Sequence, residues 1–348
     1  MQPLGIVVAG AGQIGRRHIE LIRASSECRL LAIVDPSAAA PDLADRLAVP
    51  CYHDLAQLFA RERPAGVILA TPNALHVQQT LACIEAGVAA LVEKPVAHTL
   101  EQAEHLLAEV ERSGARVLVG HHRAHSPILA AARALITNGG LGELVAVQGS
   151  ALFYKPQDYF DSAPWRREAG GGPILINLIH EIGNLRSLCG EIVAVQALAS
   201  SAVRGHAVED TVAINLRFAG GALGTFLLSD TAASARSWEQ TSQENPDYTT
   251  YTDEDCYTLA GTQGSLAVPS LRFKRYADTG ARSWFEPFDC STLHAQRDDP
   301  LQHQLSHFCA LIRGEVEPLV SVRDGVQNVR IIDAIARAVS SGGTVEIS

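Results

Sequence analysis

The apolar run Leu4-Gly5-Ile6-Val7-Val8-Ala9 leads straight into Gly10-Ala11-Gly12-Gln13-Ile14-Gly15, and few folds can use that order. A buried strand ending in closely spaced glycines predicts a tight turn into a helix. Gly10 permits the turn, Gly12 lets a ligand approach the backbone, and Gly15 lets the helix pack on the strand. A second apolar run, Leu30 to Val34, ends at Asp35, about 20 residues beyond Gly15, where a carboxylate can meet a ribose. The N–H groups of Gln13 and Ile14 would then face a pyrophosphate. A purely structural glycine turn is the competing account; strand, glycines, helix, strand and acid in this order favour a dinucleotide. Asp35 would repel a 2′-phosphate, and Pro36-Ser37 bring no basic neighbour, so NAD is expected over NADP.

With 348 residues, the chain is long enough for two domains. Up to about residue 120, apolar runs alternate with amphipathic stretches. Gly66–Ala70, Ala89–Val92 and Arg116–Val119 read as further strands. Between them lie helices at Ala74–Ala86 and Thr99–Ser113, the second with Thr99 as N-cap and each stopped by a glycine, Gly87 and Gly114. Such alternation predicts a doubly wound parallel sheet over residues 1–120, the dinucleotide-binding domain. Residues 121–348 read differently, as an α+β domain with a large, open, mostly antiparallel sheet. Its expected helices are Ser126–Asn138, Pro173–Leu188, 300–313 and 323–339. Its expected strands are Glu143–Tyr154, Ile192–Leu198, Thr211–Phe218, Leu223–Leu228, Cys256–Leu259, Ser265–Val268 and Ser283–Phe285. The polar stretch Ser234–Asp255 reads as a long excursion, either a lid or a surface or subunit contact.

Charge excludes some functions. Lys and Arg total 28 against 38 Asp and Glu, a net charge of −10 with no basic run, so nucleic acid is not an expected partner. The seven cysteines include no CxxC and their number is odd, which points to reduced thiols. No run reaches membrane-span length and no basic leader precedes the first strand, so no membrane partner is expected and the location is expected to be cytoplasmic.

Three clusters could carry chemistry. Thr71-Pro72-Asn73 with His76, and Glu93-Lys94-Pro95, each follow a sheet strand, where open α/β sheets bind ligands. In the helix after Gly170-Gly171-Gly172, the residues Asn177, His180, Glu181 and Asn184 form one polar stripe. On periodicity alone that stripe faces solvent. His121, His122 and His125 invite a metal reading, but no acid or cysteine lies close in sequence, and no metal is expected. His122 or Arg123 then lines a substrate cleft. Tyr154, Lys155, Asp158, Arg166 and Arg167 flank the glycine run and are either cleft residues or a solvated loop.

These motifs, with Trp165-Arg166 and the C-terminal Glu317-Pro318-Leu319-Val320-Ser321 through Asp324-Gly325, resemble the glucose–fructose oxidoreductase/inositol dehydrogenase (Gfo/Idh/MocA) family over essentially the whole chain. The resemblance implies a Rossmann domain followed by an α+β domain that assembles homodimers or homotetramers. It implies hydride transfer between nicotinamide and a carbinol or carbonyl carbon of a sugar, polyol or related small molecule. By position, Lys94 would be the catalytic lysine and His180 the proton-transferring histidine. Lys94-Pro95 would be cis. Thr71, Asn73 and His76 would line the nicotinamide, and Glu93 would position its ribose. His122, Arg123, Tyr154, Trp165, Arg166, Asn177 and His180 would meet substrate. The family's pattern places Asp four residues before the histidine; this chain has Ile176 there, with Asn177 the nearest polar residue. A non-catalytic dinucleotide-binding sensor or regulator of the same fold is the alternative, and a tightly held cofactor shuttling hydride between two substrates is a third.

Overall fold

The structure, a computed structural model, describes residues 2–278 and 280–347. The chain divides into two compact units: residues up to His125 with Pro300–Val329, and Ser126–Asp299 with the residues from Arg330 onward.

The first unit begins β1 (Leu4–Ala9), α1 (Gln13–Ala24), β2 (Cys28–Val34), α2 (Ala40–Leu47), β3 (Cys51–Tyr52), α3 (Leu55–Arg61), β4 (Gly66–Leu69), α4 (His76–Glu85), β5 (Ala89–Glu93), α5 (Leu100–Ser113) and β6 (Val117–Gly120). Among the described residues these strands form one six-stranded sheet in the order β3-β2-β1-β4-β5-β6. Every pairing is parallel. The order reverses beside β1, the position at which open sheets bind ligands outside their carboxyl ends. β4, β5 and β6 are buried throughout, as strands covered on both faces must be. The Thr99 hydroxyl accepts the N–H of Gln102 and starts α5, and Gly114 ends it. The stretch Ala40–Arg61, with its two helices and short edge strand, went unread in the sequence.

The second unit holds α6 (Pro127–Thr137), β7 (Leu144–Leu152), α7 (Gln157–Asp161), α8 (Ile179–Cys189), β8 (Ile192–Ser200), β9 (Thr211–Phe218), β10 (Leu223–Ser229), α9 (Trp238–Ser242), β11 (Tyr257–Gly261), β12 (Gly264–Val268), β13 (Arg272–Tyr276), β14 (Phe288–Thr292) and β15 (Val345–Glu346). Among the described residues its sheet has nine strands, β14-β13-β12-β11-β7-β10-β9-β8-β15. Only β7 and β10 pair parallel; the other pairings are antiparallel. From Val212 to Phe218 in β9 and from Leu223 to Leu228 in β10, side chains alternate between buried and exposed.

Two more helices follow, α10 (Pro300–Arg313) and α11 (Val322–Ser341). Residues 300–329 group with the first unit, whereas the sequence reading ran the second domain from 121 to the end. The reason is packing: Leu305, Phe308 and Cys309 of α10 sit in the core of the parallel sheet with Ile19 and Ile22 of α1. All seven cysteines are free thiols.

Two expected elements differ. Ser283–Phe285 is not a strand; Trp284 and Phe285 are almost fully exposed in a turn, and the strand lies further on, at β14. Aromatic content without a buried face does not make a strand. The helix expected at Pro173–Leu188 begins with a π-turn, Ile174–Leu178, before α8. The Ser234–Asp255 excursion is partly core. Trp238 is buried, its indole N–H donates to Glu244, and Glu244 accepts the hydroxyl of Ser126, the N-cap of α6.

Candidate active site

In the first unit the glycine turn has a steric reason at each position. Gly10 has φ +90°, and a methyl group there would lie 2.4 Å from the Ala70 carbonyl oxygen. A methyl at Gly15 would lie 1.9 Å from the Gly10 carbonyl oxygen. One at Gly12 would meet nothing within 4 Å. The first and third glycines are therefore required by the protein's own packing, and the second borders an open cradle. Gly12 caps α1 with no side-chain hydrogen bond, which leaves the first-turn N–H groups at Gln13 and Ile14 for an outside acceptor.

Asp35 stands at the carboxyl end of β2. Its Oδ2 accepts the Ala11 N–H at 2.7 Å and its Oδ1 the Ser37 N–H at 2.8 Å. Partial burial pushes its pKa up, but the Ser37 hydroxyl and these two backbone donors outweigh that and hold it below the usual aspartate value. Arg16 adds a smaller effect in the same direction, with its Nε on the Ala11 carbonyl at 3.0 Å. Sequence reading overlooked Arg16, a cation near Asp35 in space though not in sequence. These groups fit the diphosphate and adenosine ribose of a dinucleotide.

The next two strand ends are stapled together by His76. Its Nδ1 lies 2.7 Å from the Pro95 carbonyl oxygen and its Nε2 lies 2.9 Å from that of Thr71. With 1% exposure and both nitrogens on protein carbonyls, His76 ties the two turns together. Thr71 and Asn73 are half-buried at the first turn, and the Thr71 hydroxyl donates to Gln79. The second turn carries Lys94 on a cis bond to Pro95. Beneath it Glu93 is buried and accepts from His18 Nε2 at 2.8 Å, while its Oε2 accepts the Lys94 N–H at 3.3 Å. His18 is also absent from the sequence reading. The available signal was a polar residue on the buried face of α1, in register with Gly15, Ile19 and Ile22.

The three histidines after β6 part company. His121 Nε2 accepts from Asn328 at 3.1 Å, His122 is half-buried with its charge felt at Glu93, and His125 stands edge-on to His307. Arg123 is buried.

In the second unit the stripe on α8 does not face solvent. His180, Glu181 and Asn184 are buried. α8 packs between α6 and the sheet, so both its faces are enclosed. Tyr257 of β11 donates its hydroxyl hydrogen to Glu181 and accepts from Asn184 Nδ2 at 3.0 Å. The π-turn before His180 is held by Glu209, whose Oε1 accepts the Ile174 N–H at 2.9 Å. π-turns recur at functional sites, where they re-aim side chains. Asn177, in this turn, accepts Lys155 Nζ at 2.6 Å. Lys155 also lies 3.9 Å from buried Asp230 and 4.7 Å from the Tyr159 ring centroid. Arg166 stacks on the same ring at 3.8 Å, while Tyr154 and Trp165 are exposed. With Oδ1 engaged by Lys155, Asn177 offers its amide N–H groups as donors.

The sequence matches two models of one family. Residues 4–121 match the oxidoreductase family with NAD-binding Rossmann fold, and residues 129–267 match the GFO/IDH/MocA C-terminal domain. The chain belongs to the GFO/IDH/MocA oxidoreductase family. The 1,5-anhydro-D-fructose reductase of Ensifer adhaerens is 28% identical over 289 residues, 81% of this chain and 79% of the relative. An inositol 2-dehydrogenase of Rhizobium meliloti is 24% identical over 349 residues, 97% of this chain and 98% of the relative. The fold is also that of the WlbA dehydrogenase from Bordetella pertussis, solved with NADH and UDP-GlcNAcA, with TM-score 0.78, 21% identity and coverage of 100% of this chain and 99% of that one. This GFO/IDH/MocA protein is thus an oxidoreductase with an NAD-binding Rossmann unit. Among the described residues, no helix is long and apolar enough to cross a membrane.

Proposed function

We propose that the protein is an NAD-dependent dehydrogenase or reductase acting on a carbinol or carbonyl carbon of a sugar- or polyol-like small molecule. The observation that carries this is the Asp35 carboxylate, held charged by the Ala11 and Ser37 N–H groups beside the open cradle at Gly12. An anion there accepts ribose hydroxyls and opposes a 2′-phosphate, which supports NAD. The relatives' names, a reductase of an anhydrosugar and an inositol dehydrogenase, support the substrate class.

Gln13 and Ile14 would hold the diphosphate, and the turns at Thr71, Asn73 and Glu93 the nicotinamide ribose. The bound cofactor would supply the hydride acceptor or donor. Lys94 would place its ammonium beside the reacting oxygen and stabilise charge developing there. His180 would take the hydroxyl proton in oxidation and return it in reduction, a task suited to imidazole near neutral pH. With Ile176 where the family pattern has an acid, no carboxylate is expected at that position to orient the ring. Asn177, fixed by Lys155, would instead donate to a substrate oxygen. His122, Arg123, Tyr154, Trp165 and Arg166 would complete substrate recognition.

The test is NADH absorbance during a screen of sugars, polyols and their acids, with NAD and NADP compared. Turnover is expected with NAD, and Lys94→Ala should bind NAD normally but lose kcat by roughly a hundredfold or more. A wild type that binds NAD and turns over no substrate would support the sensor alternative. Normal turnover by Lys94→Ala would remove that lysine from the chemistry.

A further inference from the structure

Glu93 is a carboxylate under the turn that carries Lys94, and it is buried with His18, a residue not yet given a role. His18 reaches Glu93 across 75 positions of sequence, from α1 to the end of β5. A buried carboxylate is costly unless a donor pairs with it. Four elements surround Glu93. α1 brings His18, the turn after β6 brings His122, the adjoining residue brings Lys94, and β6 brings Gly120, where a methyl group would lie 3.0 Å from the Glu93 side chain. Of these neighbours, His18 is in hydrogen-bond contact with Glu93 through its side chain, at 2.8 Å.

We propose that His18 is a positioning residue for the Lys94 turn, acting through Glu93: its Nε2–H holds the Glu93 carboxylate where the other oxygen fixes the Lys94 N–H. This rests on the reading of Lys94 as the group beside the reacting oxygen. Burial alone would push the Glu93 pKa up; the His18 hydrogen bond and charge, with smaller effects from His122 and Lys94, bring it below the usual glutamate value. A carboxyl group with a lowered folded pKa contributes stability above its unfolded pKa, and that contribution is lost as pH falls through the folded value. Without His18 the burial effect is left opposed only by the weaker neighbours. Glu93 then takes up a proton at higher pH, loses its charge beside Lys94, and the acid limb of activity moves upward.

The experiment compares wild type, His18→Gln, His18→Leu, Glu93→Gln and the double variant His18→Leu/Glu93→Gln. For each, kcat/KM is followed from about pH 5.5 to about pH 8, with urea midpoints of the cofactor-free protein over the same range. His18→Gln keeps a donor and should stay within about threefold of wild type at the upper pH. The deficit of His18→Leu should grow roughly tenfold between the upper and lower pH, the change expected when the titration of a buried carboxyl moves up by about two pH units into that range. Its urea midpoint, below wild type at the upper pH, should recover toward wild type on acidification, because a raised folded pKa makes the folded state take up the proton before the unfolded one. In the Glu93→Gln background the pH-dependent part of that deficit should disappear. A deficit of equal size at every pH, or one that survives in the Glu93→Gln background, overturns the proposal. If His18→Leu does not fold, His18→Asn, whose donor is too short to reach, carries the same comparison. A wild type that neither binds NAD nor turns over substrate defeats the underlying functional reading; an active wild type whose pH profile His18→Leu matches defeats His18's role alone.

Discussion

On the proposed function, cofactor choice turns on Asp35. Two backbone donors hold its oxygens, so the carboxylate is placed before any ligand arrives and needs no ordering on binding. Replacing it removes both an acceptor for ribose hydroxyls and the negative charge that opposes a 2′-phosphate. Asp35→Ala should lower kcat/KM for NAD by roughly tenfold to a hundredfold, the worth of a hydrogen bond to a charged group. The same change should cost NADP much less, because Arg16 stays near the vacated position. Steady-state kinetics with both cofactors checks this. An unchanged NAD/NADP ratio would show that selectivity lies elsewhere.

At the scale of elements, the π-turn at Ile174–Leu178 depends on Gly172. Its φ is +79°, and a methyl group there would lie 2.7 Å from Glu209 Oε1, the atom that caps the Ile174 N–H. Gly172→Ala should therefore combine backbone strain with a displaced cap, at a cost of about 2–3 kcal/mol. Urea denaturation would measure it, and a wild-type midpoint would refute the account. None of this was legible in the sequence, where Gly170-Gly171-Gly172 reads as a flexible entry to an ordinary helix. A π-turn leaves no mark in composition, and the acid that caps it comes from residue 209. The parallel strands were legible because burial on both faces leaves apolar runs with no competing pattern. β13 was missed for the opposite reason. Arg272-Phe273-Lys274-Arg275-Tyr276 lies toward the sheet edge, half in solvent, and its charges mask the alternation. The stripe of Asn177, His180, Glu181 and Asn184 was legible as a stripe but not as a buried one, since Tyr257 arrives from a strand about 75 residues away to satisfy it.

For the molecule as a whole, the unresolved demand is the outer face of the nine-stranded sheet. α6 and α8 pack on one face. The other carries Leu223, 60% exposed, and Leu227, 42% exposed, on β10. Leu223 stands across from Ala146 and Arg217, and Leu227 across from Ser150 and Ala213. Leu198 of β8, across from Ala213, is exposed on the same face. Large apolar side chains spread over neighbouring strands are costly in water and mark surfaces that another chain covers. The small side chains at Ala146 and Ala213 leave room for close approach, and the regular alternation gives a flat face of the kind that packs sheet on sheet. A second copy of this chain is the expected occupant, related by a twofold axis so that Leu223 and Leu227 of both copies share one interface. Light scattering should then find a dimer or tetramer, and Leu223→Glu with Leu227→Glu should convert it to smaller species, since each copy would bring two carboxylates against their counterparts. Both changes lie on exposed positions and remove no core contact, so secondary structure and NAD affinity should be retained. If the double variant keeps the native mass, the interface lies on another surface.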